Sequence, residues 1–409
     1  MDSGNTAWVL MSAALVFVMI PGLAFFYAGL VRKKNAAATL LHTFIAVALV
    51  GVIWVLWGYS LAFGPDVAGL IGNLDYVGLR GVSAIEAGPY SDTIPHQAFM
   101  IFQGMFAIIT PALIVGAVVE RIKFSALIIF IVVWSTIVYA PLAHWIWGNG
   151  GWLGLSGWGA LDFAGGAVVH INAGVAALAA AFLLGKRLQY GAEPMEPHNI
   201  PFVVLGAGLL WFGWFGFNAG SALMSGGSAT SAFVVTNTAA AVAALTWVAC
   251  DWVFTKKPTV VGAATGAIAG LATITPAAGF VGPMPAIIIG AVTGVLCYMA
   301  IRLRKKIKLD DSLDVWAVHG VGGTWGILAT GLFVGIGFMS LSDLVLPGID
   351  RGEQILRQVV TIGVSWGWTF VMTMVILLVL KYTIGLRVSE EEEQRGLDLS
   401  LHGEEAYRS

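Results

Sequence analysis

The sequence predicts an all-α, polytopic membrane protein: eleven transmembrane helices, ten of them forming two inverted sets of five, with the N-terminus outside and the C-terminus in the cytoplasm. Three observations predict it. Of 409 residues, 58% are hydrophobic and only 11% charged, with a mean hydropathy of +0.85, whereas a soluble domain carries about 25% charged residues. Eleven apolar runs are long enough to cross a bilayer as helices, the only open-ended structure in which lipid leaves no backbone group unpaired. The basic residues fall almost wholly on one side of those runs. This composition excludes a water-soluble enzyme, a nucleic-acid binder and a disordered chain. Cys250 and Cys297 both sit in apolar stretches, so no disulfide framework or thiolate metal site is expected.

In chain order the runs are 7–31, 37–63, 95–119, 125–146, 160–185, 201–221, 231–255, 259–280, 284–302, 313–338 and 356–384. The run 37–63 is long enough to tilt. The run 259–280 is the least regular, because Thr275-Pro276 and several glycines interrupt it. The connections holding Arg32 to Lys34, Arg121 and Lys123, Lys186 and Arg187, Lys256 and Lys257, and Arg302 to Lys308, with the C-terminal tail, carry 18 of the 21 Lys and Arg residues. Only Arg80, Arg351 and Arg357 fall on the other side, which puts the tail side in the cytoplasm. The start, MDSGNTAWVL, lacks a basic segment, so the first run reads as a retained span and not a signal peptide. The domain plan is a membrane domain over 1–385 followed by a cytoplasmic regulatory tail over 386–409. The tail is polar, with Glu390 to Glu393 in a row, but Leu386, Val388, Leu397, Leu399 and Leu401 offer apolar anchors that a solvated tail would not need.

Runs five and ten resemble one another. One opens with Leu161-Asp162 and carries His170; the other opens with Leu313-Asp314 and carries His319; small residues follow each histidine. Repeat one then covers about 7–185 and repeat two about 201–338, with 356–384 as an extra helix. Because five is odd, the second set must be inverted, a device of channels and transporters that places functional groups near the midplane.

Polar groups inside spans are costly and face the bundle interior or a wet cavity. A single intramembrane histidine is commonly a packing residue bonded to a neighbouring helix. Two at related places of an inverted pair would instead meet across the symmetry axis, one imidazole donating and the other accepting. Two histidines without a third Cys, His or Asp are too few for zinc, and no cofactor is implied. Asp162 and Asp314 each stand where an N-cap carboxylate would accept backbone N–H groups, and Asp162 could add negative potential for a cation. Phe102 and Phe106 share one helix face, Trp147 ends run four, and run six holds Trp211, Phe212, Trp214, Phe215 and Phe217 before Ser221. These aromatics read either as an interfacial belt and core packing or as a vestibule that binds a small cation over aromatic faces. Many of the 52 glycines lie beside them, as in GGAVVHINAG and GWFGFNAGSA, and permit close helix approach.

Along its whole length the chain resembles the ammonium transporter family (Amt/Mep/Rh), on its Amt branch. The segments that carry the resemblance are PGLAFFYAGLVRKKN, LIVGAVVERIKFSA, ALDFAGGAVVHINAG, GWFGFNAGSA, LDVWAVHGVGG and GLRVSEEEEQRGLDLSLHGEEAY, in the family's order. The resemblance implies a homotrimer in the lipid bilayer of the cytoplasmic membrane, each protomer with its own pore for ammonium or ammonia. Trp147, Phe106, Ser221 and Trp214 would surround an outer ammonium site, and Thr275 would lend it a backbone carbonyl. Phe106 and Phe217 would gate the pore with Phe102 beside them. His170 and His319 match the family's twin pore histidines, and Asp162 its indirectly acting acidic residue. Trp147 and Ser221 favour the Amt over the Rh branch. A PII-type signalling protein that acts through the tail is a further implied partner.

Ammonium and potassium are alike in size and charge, so the expected mechanism uses the removable proton: ammonium binds outside, a dry lumen carries ammonia, and the histidine pair relays the proton, making transport electrogenic. Two other readings compete. One is an ammonium sensor with little flux. The other is a membrane enzyme using His170, His319 and Asp162.

Overall fold

An apolar chain in lipid must bond every backbone group within its own segments, and the fold follows from that constraint. The computed structural model describes residues 1–338 and 350–407. Residues 339–349, within the expected membrane domain, and Arg408, one of the expected inner charges, lie outside the described residues. Among the described residues nine helices are long and apolar enough to cross a membrane. They are α1 (Ser3–Leu30), α2 (Lys33–Phe63), α3 (His96–Val118), α4 (Phe124–Trp147), α5 (Gly166–Leu184), α6 (Ile200–Gly220), α7 (Gly227–Phe254), α9 (Pro283–Lys306) and α11 (Arg351–Thr383). Two shorter segments take the places of runs eight and ten: α8 (Val260–Ile274) and the helical stretch 316–333, here α10.

α1 and α6, the first helices of the two expected repeats, lie against each other along their length. Glycines set that approach: a Cβ on Gly206 would collide with the backbone of Phe26, and one on Gly213 with the side chain of Met19. α5 and α10, the last helices of the expected repeats, also cross in direct contact. α11 braces this crossing with an unusual face. Gln354, Gln358, Thr361, Ser365, Thr369 and Thr373 are buried, whereas Leu356, Val359, Val371 and Val375 point outward. The polar stripe ties α11 to its neighbours: Gln358 bonds the carbonyls of Leu161 and Ile327 and accepts from the Leu161 N–H, Thr369 donates to the Asn172 side chain, and Thr373 accepts from the Trp134 indole.

At one end of the bundle, residues 64–95 fold into two small hairpins, pairing Asp66–Val67 with Ile71–Gly72 and Ala87–Gly88 with Ser91–Pro95. At the other end the tail docks. Leu386, Val388 and Leu397 are buried as anchors, Leu401 is half-buried, and Leu399 is exposed. Arg387 pairs with Ile122 in a β-bridge, and Ser389 and Glu392 form a capping box for a short helix, Glu390–Arg395. The Asp398 carboxylate accepts the N–H groups of Ala37 and Ala38 at the start of α2, at 3.1 and 2.7 Å.

Beneath the tail lies a buried charge network. Glu120 takes the Arg187 guanidinium at 2.7 Å, Arg32 at 3.1 Å and the Asn35 amide at 3.0 Å. Arg187 also pairs with Asp310 at 2.8 Å, and Glu393 of the tail accepts the Leu188 N–H at 2.6 Å while pairing with Arg387. Burial alone would push Glu120 and Asp310 up, but the Arg187 guanidinium, with Arg32 at Glu120, outweighs it and holds both carboxyls below their ordinary range. Depressed values mean that this stabilisation is complete above the unfolded carboxyl range of about 4 and is lost as pH falls through the lower folded values. Melting temperature in detergent should therefore be insensitive to this network between about pH 5 and 7 and fall below about pH 4. Glu120→Gln leaves Arg187 half-paired and should cost about 3–5 kcal/mol at neutral pH, read as a lower melting temperature.

Candidate functional site

The site begins with a helix start. Residues 160–165, expected within run five, are not helical, because the Asp162 carboxylate gathers the N–H groups that open α5. It accepts from Gly165, Gly166, Ala167 and Val168 at 2.8, 2.6, 2.8 and 3.2 Å. The turn requires Gly165 at φ +115°, a conformation that side chains resist. α5 then starts as a π-turn over Gly166–Ile171, in which the His170 N–H reaches back to the Gly165 carbonyl at 2.9 Å. The backbone carbonyl of Asp162 accepts the Trp147 indole N–H at 2.8 Å, so one residue positions both His170 and Trp147.

The start of α10 resembles this arrangement, with a different carboxylate from the one expected. Asp311, fully buried, accepts the Trp316 N–H at 2.7 Å at the start of a π-turn over Trp316–Val321 that carries His319. Asp314 caps nothing; it has φ +62° and its carboxylate pairs with Arg304. The spacing agrees: residues 162 to 170 and 311 to 319 are both eight apart. Asp314 is thus corrected from a helix cap to a partly exposed ion-pair partner.

α5 and α10 meet where side chains vanish. A Cβ on Gly174 would collide with the backbone of Gly320, and that contact lets the histidines face each other. His319 Nδ1 lies 3.2 Å from His170 Nδ1, with the rings stacked at 5.2 Å and 25°. Two identical nitrogens at this distance need one proton between them, so one ring carries it on Nδ1 and the other on Nε2. His170 Nε2 has no hydrogen-bond partner among the described residues.

Two aromatics lie side by side against His170, Trp214 at 5.4 Å and Phe217 at 5.9 Å between ring centroids, with 5.4 Å between the two. A cavity of about 1130 Å³ runs from Lys186, Tyr190 and Lys305 at the tail end to His319, His170 and Phe217. Its inner wall is apolar, with Leu23, Ile109, Leu113, Val169 and Val318. Past Phe217 the way is shut by Phe106, whose ring lies 4.2 Å from that of Phe217 at 35°. Phe102 packs edge-on to Phe106 at 5.0 Å, and Trp147 does so at 5.9 Å. Ser221 ends α6 on this side, half-buried, its hydroxyl on the Phe217 carbonyl at 2.9 Å.

The structure therefore brings Phe102, Phe106, Phe217 and Trp147 together and sets the histidines behind them. It does not group Trp214 with Trp147 as expected. Trp214 lines the cavity on the histidine side, and its indole N–H is held by the Thr275 hydroxyl at 2.9 Å. The Thr275 side chain is thereby committed to Trp214 and is itself fully buried. Sequence reasoning missed Asp311 and the Glu120–Arg187–Asp310 network. The eight-residue spacing would have revealed the first, and an acidic residue beside Arg121 at the end of a span the second.

Fold and site together define a multi-pass helical membrane protein built around an apolar, histidine-lined cavity closed at one end by stacked aromatics. The model of the Ammonium Transporter Family matches residues 7–407. An ammonium transporter of Bacillus subtilis is 49% identical over 411 residues, covering all of this chain and 99% of that protein. Ammonium transporter Amt1 of Archaeoglobus fulgidus is 46% identical over 407 residues with both chains fully covered. The crystal structure of Saccharomyces cerevisiae Mep2 matches with a TM-score of 0.86 at 37% identity, over 95% of this chain and 91% of that one. A solved structure called Sensor Amt Protein matches with a TM-score of 0.90 at 33% identity, over 98% of each chain. The chain belongs to the ammonium transporter family.

The two carboxylates predict a ranking. Asp311→Ala orphans the buried start of α10 and should cost about 2–4 kcal/mol. Asp314→Asn loses only a partly exposed ion pair and should cost about 1 kcal/mol or less. Thermal unfolding in detergent checks this, and the reverse order would contradict the assignment.

Proposed function

We propose that this chain conducts ammonium across the cytoplasmic membrane, taking up the ion, passing ammonia through its interior and moving the proton separately. The observation that carries this reading is the 3.2 Å Nδ1–Nδ1 contact of His170 and His319 inside an apolar cavity shut off by Phe106 and Phe217. At the inner, apolar end of this lumen, beyond the charged residues of its mouth, a bare cation loses its hydration and meets no carboxylate in the wall, a cost of several kcal/mol or more. Ammonia carries no such penalty and can still hydrogen-bond to imidazole nitrogens. Potassium has no proton to shed and is excluded by the same physics.

In this reading Trp147, Phe106 and Ser221 hold ammonium at the outer mouth, with cation–π attraction worth about 0.5–2 kcal/mol. Phe102 backs the Phe106–Phe217 gate, and Trp214, steadied by Thr275, serves the lumen. Asp162 acts through the backbone it holds, keeping Trp147 and His170 in place. The His170–His319 pair hands the proton on by exchanging roles of donor and acceptor, which makes transport electrogenic. The full reading has eleven spans, the first ten as a five-plus-five inverted repeat, the N-terminus outside and the tail in the cytoplasm, where 18 of the 21 Lys and Arg residues gather. It also has a homotrimer and a PII-type partner at the tail.

A second reading, an ammonium sensor with little flux, draws support from the similarity to the Sensor Amt Protein. Solid-supported-membrane currents on liposomes separate the two: rapid ammonium-evoked currents support conduction, and binding without current supports the sensor. Replacing both histidines, His170→Leu with His319→Leu, should abolish the current evoked by ammonium, whereas unchanged currents and selectivity would remove the proton-relay role. Ser221→Ala should raise the half-saturating ammonium concentration about fivefold, the effect of one lost hydrogen bond, with little change in maximal current.

A further inference from the structure

The conduction reading makes no use of a histidine pair at the seam between tail and membrane domain. His402 lies in the turn Asp398–His402, and its Nε2 meets Nε2 of His42, a buried residue of α2, at 3.2 Å. Phe124, the first residue of α4, closes the cluster: it stacks on His42 at 5.2 Å and 12° and meets His402 edge-on at 5.1 Å. Three elements far apart in sequence thus converge on one imidazole–imidazole bond. Like the pair in the cavity, it presents the same nitrogen from both rings and can hold one proton only. A second proton sets two N–H donors against each other and leaves an imidazolium against the face of α2.

We propose that the His42–His402 pair is a proton-operated latch that holds the tail on the membrane domain at neutral pH and frees it on acidification of the tail side. The ionisable groups that face His402 are Asp398 and Glu404, both on the tail, whereas α2 offers His42 and α4 offers Phe124. Burial lowers His402, and the two carboxylates oppose it in part. Asp398 is itself engaged by the N–H groups of Ala37 and Ala38, which leaves it little freedom to follow an imidazolium. The sign follows from linkage. The released tail binds the proton more tightly than the docked one, so docking is strongest above the ordinary histidine range of about 6.5 and weakens below it. One such proton changes the docking equilibrium by at most about tenfold per pH unit.

The test uses the full-length protein in lipid nanodiscs with a spin label at the exposed tail position Glu405→Cys; both native cysteines, Cys250 and Cys297, are buried. Lowering the pH from 7.5 to 5.5 should increase the mobile spectral component several-fold. His402→Gln keeps a hydrogen-bonding side chain without the titration and should remain docked at pH 5.5; His42→Gln repeats the comparison from the other side of the seam. His402→Arg carries a permanent charge and should be mobile already at pH 7.5. A flat response of the parent protein, or glutamine variants that release their tails as the parent does, would overturn the latch; the latter outcome would place the response in another contact of the tail. Ammonium currents at pH 7.5 should not change in His402→Gln, so failure of the latch is distinguishable from failure of the conduction reading.

Discussion

Two imidazoles that confront each other with the same nitrogen can share one proton and no more, and the centre of this molecule is arranged to hold them so. Each ring is carried on a π-turn, and each π-turn is opened by a buried aspartate eight residues upstream. The backbone crossing of Gly174 and Gly320 sets their separation, because a Cβ on Gly174 would drive α5 and α10 apart. Trp214 and Phe217 stack on His170 and leave its Nε2 as the polar atom in an apolar wall.

The two ends of the bundle are built on different physics. At the hairpin end the closure is aromatic, with Phe106, Phe217, Phe102 and Trp147 packed ring on ring. At the tail end the structure relies on charge: Glu120, Arg187 and Asp310 tie three inter-helix connections together, and Glu393 and Arg387 extend the network into the tail. A change in the tail therefore bears on the connections that frame the cavity mouth at Lys186 and Tyr190.

Much of this was legible in the sequence. Histidines and aspartates inside apolar runs stand out because burying them is costly, so His170, His319 and Asp162 could be singled out by type alone. The tail anchors Leu386, Val388 and Leu397 were legible because apolar residues in a polar segment need something to cover them. Asp314 misled because Asp310, Asp311 and Asp314 crowd five positions, and only the chain's path decides which carboxylate turns inward. Trp214 misled for another reason. Periodicity puts Trp214, Phe217 and Ser221 on one face of α6, but seven residues rise about 10 Å along the axis. That is enough to separate the lumen from the far side of the ring closure, and nothing in the pattern marks where the closure falls. The charge network was hidden because Arg32 and Arg187 also satisfy the rule that orients spans, so their pairing left no trace in composition.

The central claim is a statement about one proton, and it can be observed directly. In protein labelled with nitrogen-15 at histidine and reconstituted in bilayers at pH 7, replacing His170 or His319 in turn assigns their ring signals among the seven histidines. The account predicts two uncharged rings of opposite tautomer, one bearing its hydrogen on Nδ1 and the other on Nε2, with the shared Nδ1 shifts displaced towards each other. Two rings of the same tautomer, or a stable imidazolium at either position, would contradict it.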